Sequence, residues 1–218
     1  VRMAENGEKF TDLFGNEHEL CDKDLVITDD AGILALAGVI GGARGMTKDT
    51  TTNIILESAY FNPVTVRKSA KRHGISTDSS YRYERGINPD GTGRALSLAA
   101  KIIMDACGGE IVNVSVAGRQ QYTPNPVVYN PSYFKQKTGL ELDAKTQREI
   151  LEKLQFKVSD GDGNWVITPN PQRVDVVIPE NIVSELIRIY GYEKIGFSSQ
   201  PTNTTNPVHN DMNLGLKL

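Results

Sequence analysis

The sequence lacks the marks of a secreted, metal-binding or membrane-spanning chain. It has only two cysteines in 218 residues, Cys21 and Cys107, far apart and without metal-ligand spacing. That excludes a disulfide framework or a cysteine zinc site and predicts a reduced, cytoplasmic chain. Its histidines, His18, His73 and His209, have no partner at ligand or triad spacing. The longest apolar stretch, Ile33 to Ile40 interrupted by Gly38, is far shorter than the roughly 20 residues that cross a bilayer, so no membrane partner is expected. No basic, apolar, small-residue signal opens the chain; Val1-Arg2-Met3-Ala4 reads as a strand already under way, as in a piece cut from a longer protein. Net positive charge is missing too. With 24 Lys+Arg against 27 Asp+Glu the formal charge is −3, which excludes RNA binding through overall charge but leaves a local basic face open.

What is present is ordinary globular material, with 39% hydrophobic and 23% charged residues, enough to bury a core. The first part reads as short strands and tight turns. Asp24–Thr28 and Ile33–Gly38 predict neighbouring strands joined through Asp29-Asp30-Ala31-Gly32, and the apolar run Asn53–Phe61 predicts a strand buried on both faces. Asn62-Pro63 predicts a capped helix ending at Gly74. A longer helix is expected from about Gly91 to Cys107, with Ala95, Leu96, Ala99, Ile102, Ile103 and Ala106 on one face.

After Val116 the composition changes. Gly118–Pro131 reads as a linker with an extended piece at Val127–Tyr129. A short helix over Pro131–Thr138 is expected next, then one capped by Asp143 that buries Ile150, Leu151 and Leu154. Strands around Phe156/Val158 and Trp165/Ile167 are joined through Asp160-Gly161-Asp162-Gly163, a hairpin signal. A last helix, about Glu180 to Tyr190, presents Ile182, Val183, Leu186, Ile187 and Tyr190. The expected fold class is α+β: a mixed-sheet domain with flanking helices over 1–117, then a small helix-hairpin-helix-type α+β domain over 118–197, with 198–218 as a flexible tail.

Few residues suggest chemistry. Glu57 stands inside the apolar run, where an ionised carboxylate is costly unless partnered. Two readings fit: a structural ion pair with Arg82 or Arg85, or a carboxylate facing a pocket and accepting a hydrogen bond from a ligand. Gly41-Gly42 suggests either a tight turn or close backbone approach. Arg67, Lys68, Lys71 and Arg72 fall on one side of the Pro63 helix, as a solvated face or as a phosphate contact. Ser76–Gly86 is a polar connection that needs many hydrogen bonds. His73 sits at a helix C-terminus, which suits a structural role. No nucleophile-plus-base set can be assembled from local spacing.

Taken in series, Gly38-Val39-Ile40-Gly41-Gly42, then Leu56-Glu57-Ser58-Ala59-Tyr60-Phe61-Asn62-Pro63, then the run from Arg72 to Pro89 (RHGISTDSSYRYERGINP) resemble the editing module of phenylalanine–tRNA ligase beta subunits. Pro171-Gln172-Arg173-Val174-Asp175 and Ile187-Arg188-Ile189-Tyr190-Gly191-Tyr192 resemble the next domain of the same subunit. The resemblance runs from about Val1 to Ile195 and implies hydrolysis of tyrosine wrongly attached to tRNA(Phe). Glu57 would recognise the tyrosine hydroxyl, and Gly41, Thr77 and Ser79 would line the pocket. The small second domain would serve subunit assembly or tRNA contact. In the first domain, the charge pattern of the Pro63 helix makes Arg67, Lys68, Lys71 and Arg72 candidate tRNA contacts. The alpha subunit and tRNA(Phe) are the implied partners. No cofactor is implied for this piece, while ATP and Mg2+ serve the parent enzyme.

The chain departs from the family pattern in three places. The family has a Gln-Pro-x-His-Ala-Phe-Asp segment, whose histidine lines the site, upstream of the point matching Val1. It usually has alanine where Ser79 stands. The family's acidic magnesium positions correspond to Asp175, Asn181, Ser184 and Glu185, of which only Asp175 and Glu185 keep a carboxylate, and a hard divalent ion prefers charged oxygen ligands. Two readings from other classes stay open: a non-catalytic scaffold, and an RNA-binding module without hydrolytic activity.

Overall fold

The structure, a computed structural model, describes residues 1–118 and 122–196. Two separate hydrophobic cores organise it, one drawn from residues between Ala4 and Ala70, the other from residues between Val127 and Ile187. The architecture is α+β, and every strand pairing among the described residues is antiparallel.

In the first unit β1 (Arg2–Met3), β4 (Leu25–Asp29), β5 (Gly32–Leu36) and β6 (Ile40–Gly41) form a sheet in the order β1-β4-β5-β6, with β2 (Lys9–Thr11) and β3 (Glu17–Glu19) as a separate hairpin. The expected turn closes β4 onto β5, with Asp29 opposite Gly32. Helix α1 (Pro63–His73) begins where Asn62 Oδ1 accepts from the Val64 and Thr65 amides and ends at Gly74 in the left-handed region. It drops Val66 and Ala70 into a core with Phe10, Leu20, Val26 and Leu36. Helix α2 (Asp78–Tyr83) lies inside the segment expected to be a polar connection; Thr77 and Ser80 cap it reciprocally. Helix α3 spans Thr92–Cys107.

The expected buried strand at Asn53–Phe61 is not there. Residues 51–57 are exposed with no regular structure, Ile55 is 98% exposed, and of the run only its end reaches the core, with Phe61 buried in it and Ala59 packed against it. An apolar run becomes a strand only when a neighbouring edge satisfies its backbone, and none of the described strands pairs with it. Helix α3 forms where expected but buries no residue.

The second unit closes on itself. β7 (Val127–Tyr129), β8 (Lys157–Asp160) and β9 (Trp165–Thr168) make a sheet with β9 in the middle. The stretch taken for extended linker is thus a sheet strand, and the hairpin is two-thirds of that sheet rather than a link between helices. Helices α4 (Ser132–Thr138), α5 (Ala144–Lys153) and α6 (Pro179–Tyr190) complete the unit; Leu151 of α5 and Ile182, Val183, Leu186 and Ile187 of α6 enter its core. Buried Gln147 is fully bonded: its Oε1 accepts from Tyr129 Oη at 2.9 Å, and its Nε2 donates to the carbonyls of Pro131 and Leu142. No helix among the described residues is long and apolar enough to cross a membrane. The expected tail, 198–218, lies outside the described residues, as does His209.

Candidate functional site

The turn between β5 and β6 organises the site. Gly38 takes φ +69°, and a Cβ there would meet Val66 Cγ2 at 2.9 Å and Phe61 Cδ2 at 3.0 Å, so the chain can pass this close to α1 only as glycine. The carbonyls of this turn hold α2 by its first residues. Thr77 Oγ1 donates to Val39 O at 2.6 Å and Ser79 Oγ to Gly38 O at 3.0 Å. One turn beyond Ser79, Tyr83 packs on Phe61 with ring centroids 5.2 Å apart and donates its hydroxyl to Ala59 O at 3.2 Å.

Glu57 lies close enough to Tyr83 for its charge to act on the hydroxyl. Although the residue lies in the exposed stretch, its carboxyl is desolvated enough that burial pushes it above the usual carboxylate range. Burial, joined by the charge of Glu57, pushes the Tyr83 hydroxyl up as well. The structural ion pair considered for Glu57 is absent: Arg82 pairs with Asp78, and Arg85 pairs with Glu84 at 2.7 Å. Among the described residues the Glu57 carboxylate has no ion-pair or hydrogen-bond partner. Gly41 follows the Gly38–Val39 turn in β6. Its carbonyl accepts from the Leu13 amide, and a Cβ on it would meet Leu13 Cδ1 at 3.0 Å. At Gly42 a Cβ would meet Phe10 at 2.7 Å, so the glycine pair serves close approach of the β2 side of the molecule.

The hydroxyls near Glu57 show no activated nucleophile. Ser58 donates to Thr92 O, Ser79 to Gly38 O and Ser80 to Thr77 O. The histidines do have partners that spacing could not show. His18 Nε2 lies 2.9 Å from buried Asp12, and His73 Nε2 lies 2.9 Å from Asp24, which is fully buried. Ser69 Oγ reaches Asp24 at 2.6 Å, but on the carboxylate and not on the imidazole, so the set is a structural anchor and not a relay. Burial opposes ionisation of Asp24, yet hydrogen bonds from Ser69, His73 and the Cys21 amide prevail and hold it at about 2. Arg72, although exposed, completes this anchor by an ion pair to Asp24. Arg67, Lys68 and Lys71 stay exposed and form no ion pair among the described residues.

Residues 1–108 match the family model described as the B3/4 domain, and residues 127–192 match the tRNA synthetase B5 domain. Over 196 residues, 89% of this chain and 25% of the relative, the sequence is 40% identical to the phenylalanine–tRNA ligase beta subunit of Wolbachia sp. subsp. Brugia malayi. It is 36% identical to that of Shewanella oneidensis over 219 residues, 100% of this chain and 28% of the relative. The chain belongs to the phenylalanine–tRNA ligase beta subunit family. It spans about a quarter of the length of the curated relatives it matches. A solved N-terminal fragment of the Pyrococcus horikoshii phenylalanyl-tRNA synthetase beta-subunit is also similar, at 19% identity and a TM-score of 0.41, covering 87% of this chain and 55% of that one.

In this beta-subunit chain the expected magnesium positions do not fit a resident metal. Arg173 grips Asp175 through Nη2 at 2.7 Å and Glu185 through Nη1 at 2.7 Å, and Arg188 pairs with Glu185 as well. The guanidiniums hold both carboxyls below their usual range. Asn181 Oδ1 accepts from the Val177 and Ile178 amides at the start of α6, and Ser184 donates back to Glu180 O. Each of the four positions is thus engaged within the protein, and no group of three or more metal-ligating side chains is found among the described residues.

Proposed function

We propose that this chain is the part of a phenylalanine–tRNA ligase beta subunit that removes tyrosine from tRNA(Phe), with Glu57 reading the tyrosine hydroxyl. The observation that carries the reading is an unpartnered carboxylate, pushed up by burial, beside Tyr83. A pocket that binds phenylalanine rejects an added hydroxyl only about 100-fold. A second site can require that hydroxyl, because phenylalanine would leave a partly buried carboxylate without a donor, at a cost of about 1–3 kcal/mol or more. Thr77 and Ser79 hold α2, which carries Tyr83, against the Gly38–Val39 turn. The ester is labile by itself, so the site needs to orient water and stabilise the oxyanion with backbone amides. Arg67, Lys68 and Lys71 of α1 supply a phosphate-facing surface for the tRNA. The alpha subunit, ATP and Mg2+ belong to the aminoacylation half of the parent enzyme, which acts in the cytoplasm.

The test is deacylation by the full-length alpha–beta enzyme. Glu57→Gln should lower the preference for Tyr-tRNA(Phe) over Phe-tRNA(Phe) by about tenfold, or 1.4 kcal/mol, with melting temperature unchanged. Equal preference in the two proteins sinks the hydroxyl-reader role. The scaffold reading draws on the exposed apolar side chains of α3 and of the Ile54–Ile55 stretch, which suit a covered face. It predicts that neither ester is cleaved faster than in buffer.

A further inference from the structure

Helix α2 carries a second feature that the Glu57 reading does not use. The guanidinium of Arg85 lies over the Tyr81 ring, its Cζ 3.5 Å from the ring centroid. It is fixed there, since Nη1 donates to Tyr81 O at 2.8 Å and pairs with Glu84 at 2.7 Å. With one ring face under this lid, Tyr81 is still 58% exposed, so its other face is open to water. A ring with one face braced and one face free is a ready stacking platform, and a nucleobase is the planar partner that every such ring accepts.

The charge around the platform selects the partner. Arg82, one residue on, has 65% of its side chain exposed. Helix α1 packs against α2 and carries Arg67, Lys68 and Lys71, all three exposed. Arg82 and Arg85 are balanced by Asp78 and Glu84, so the local attraction for a polyanion on this chain of formal charge −3 comes from Arg67, Lys68 and Lys71. A duplex keeps its bases stacked on each other; only an unpaired strand can offer a base to Tyr81.

We propose that Tyr81 and Arg85 form a stacking site for a base of single-stranded RNA, with Arg67, Lys68 and Lys71 taking the flanking phosphates. The inference rests on the reading above for one point, that the strand is the unpaired end of a tRNA. Recognition here comes from stacking and charge, so it is tolerant of sequence and separate from hydroxyl reading at Glu57.

The experiment is fluorescence anisotropy of the full 218-residue chain with a labelled single-stranded RNA of about ten nucleotides, and with the same strand annealed to its complement. The single strand should bind at least about tenfold more tightly than the duplex. Tyr81→Ala and Tyr81→Leu should each weaken it about tenfold, with far-UV circular dichroism unchanged, while Tyr81→Phe stays within about twofold, as stacking requires. Lys68→Gln with Lys71→Gln should flatten the salt dependence by about one unit of log–log slope per lost phosphate contact. The strand carries no aminoacyl group, so its binding does not report hydroxyl reading, and a failed hydroxyl reader and a failed platform give different results. Unchanged binding by folded Tyr81→Ala and Tyr81→Leu overturns the proposal, and so does a duplex bound as tightly as the single strand. Preference for a labelled acidic peptide over the RNA would assign the surface to a protein and overturn it equally.

Discussion

Helices α3 and α6 have similar apolar patterns and opposite fates. In α6, Ile182, Val183, Leu186 and Ile187 all enter the core of the second unit. In α3, Leu98 and Ile102 are 59% and 58% exposed and the helix buries nothing. The same contrast extends to the units that carry them. The second gathers three strands and three helices around one core, whereas the first leaves Ile55, Val112 and Val116 in water beside a compact sheet. An apolar stripe states that a face gains from being covered; it does not say by what. Carboxylates divide in the same way. Buried Glu185 and Asp24 are gripped by cations, while exposed Glu57 is partly desolvated and has no partner among the described residues.

The contrast is most easily broken at the helices themselves. Leu186→Ala should cost about 4 kcal/mol, in the range for a buried leucine, whereas Ile102→Ala should stay within about 0.5 kcal/mol, as exposed substitutions do. Trp165, the single tryptophan of the chain and buried in the second core, reports the first loss by fluorescence during urea unfolding. A comparable loss for Ile102→Ala, followed by far-UV circular dichroism, would show that α3 is covered after all.

A smaller effect is expected at the ionic clamp. Arg173→Met should destabilise the second unit by about 3 kcal/mol, because buried Glu185 keeps only Arg188. An unchanged Trp165 transition would remove Arg173 from the elements that hold α6. The weakest contrast is in acid. Asp24 has a folded value of about 2 against an ordinary 3.8, so below 3.8 the unfolded chain binds the extra proton. The stability that Asp24 contributes is therefore complete above 3.8 and is lost as pH falls towards 2. The first unit should unfold through this window, and Asp24→Asn should flatten that part of the profile. A profile as steep in the variant would place the acid sensitivity elsewhere.

Local patterns made much of this legible. Asn62-Pro63 and Gly74 bracket α1, Asp143 starts α5, and the Asp160–Gly163 turn joins β8 to β9, because caps and turns depend on residues a few positions apart. The motifs around Glu57 and Tyr81 likewise pointed to the family that the comparisons show. Spacing failed where the partner is remote in sequence. Asn53–Phe61 has the composition of a strand but no edge to pair with, and Val127–Tyr129 resembled linker until β9 gave it one. His18 and His73 looked solitary because Asp12 and Asp24 come from other elements. Tyr83 was overlooked for a simpler reason. It stands four residues after Ser79, on the same helical face, and becomes visible once α2 is recognised as a helix.

The sequence by itself determined where α1, α5 and the β8–β9 turn lie and which helix faces are apolar, since caps, turns and stripes follow from contacts within a turn or two of the chain; its motifs pointed to the family. Only the tertiary structure decided which charges remain free. It engaged Arg72 with Asp24, Arg85 with Glu84, and both expected metal carboxylates with Arg173. Among the described residues it left Glu57 without a partner, near Tyr83. A charged group's availability depends on what approaches it in space, and no spacing along the chain records that distance.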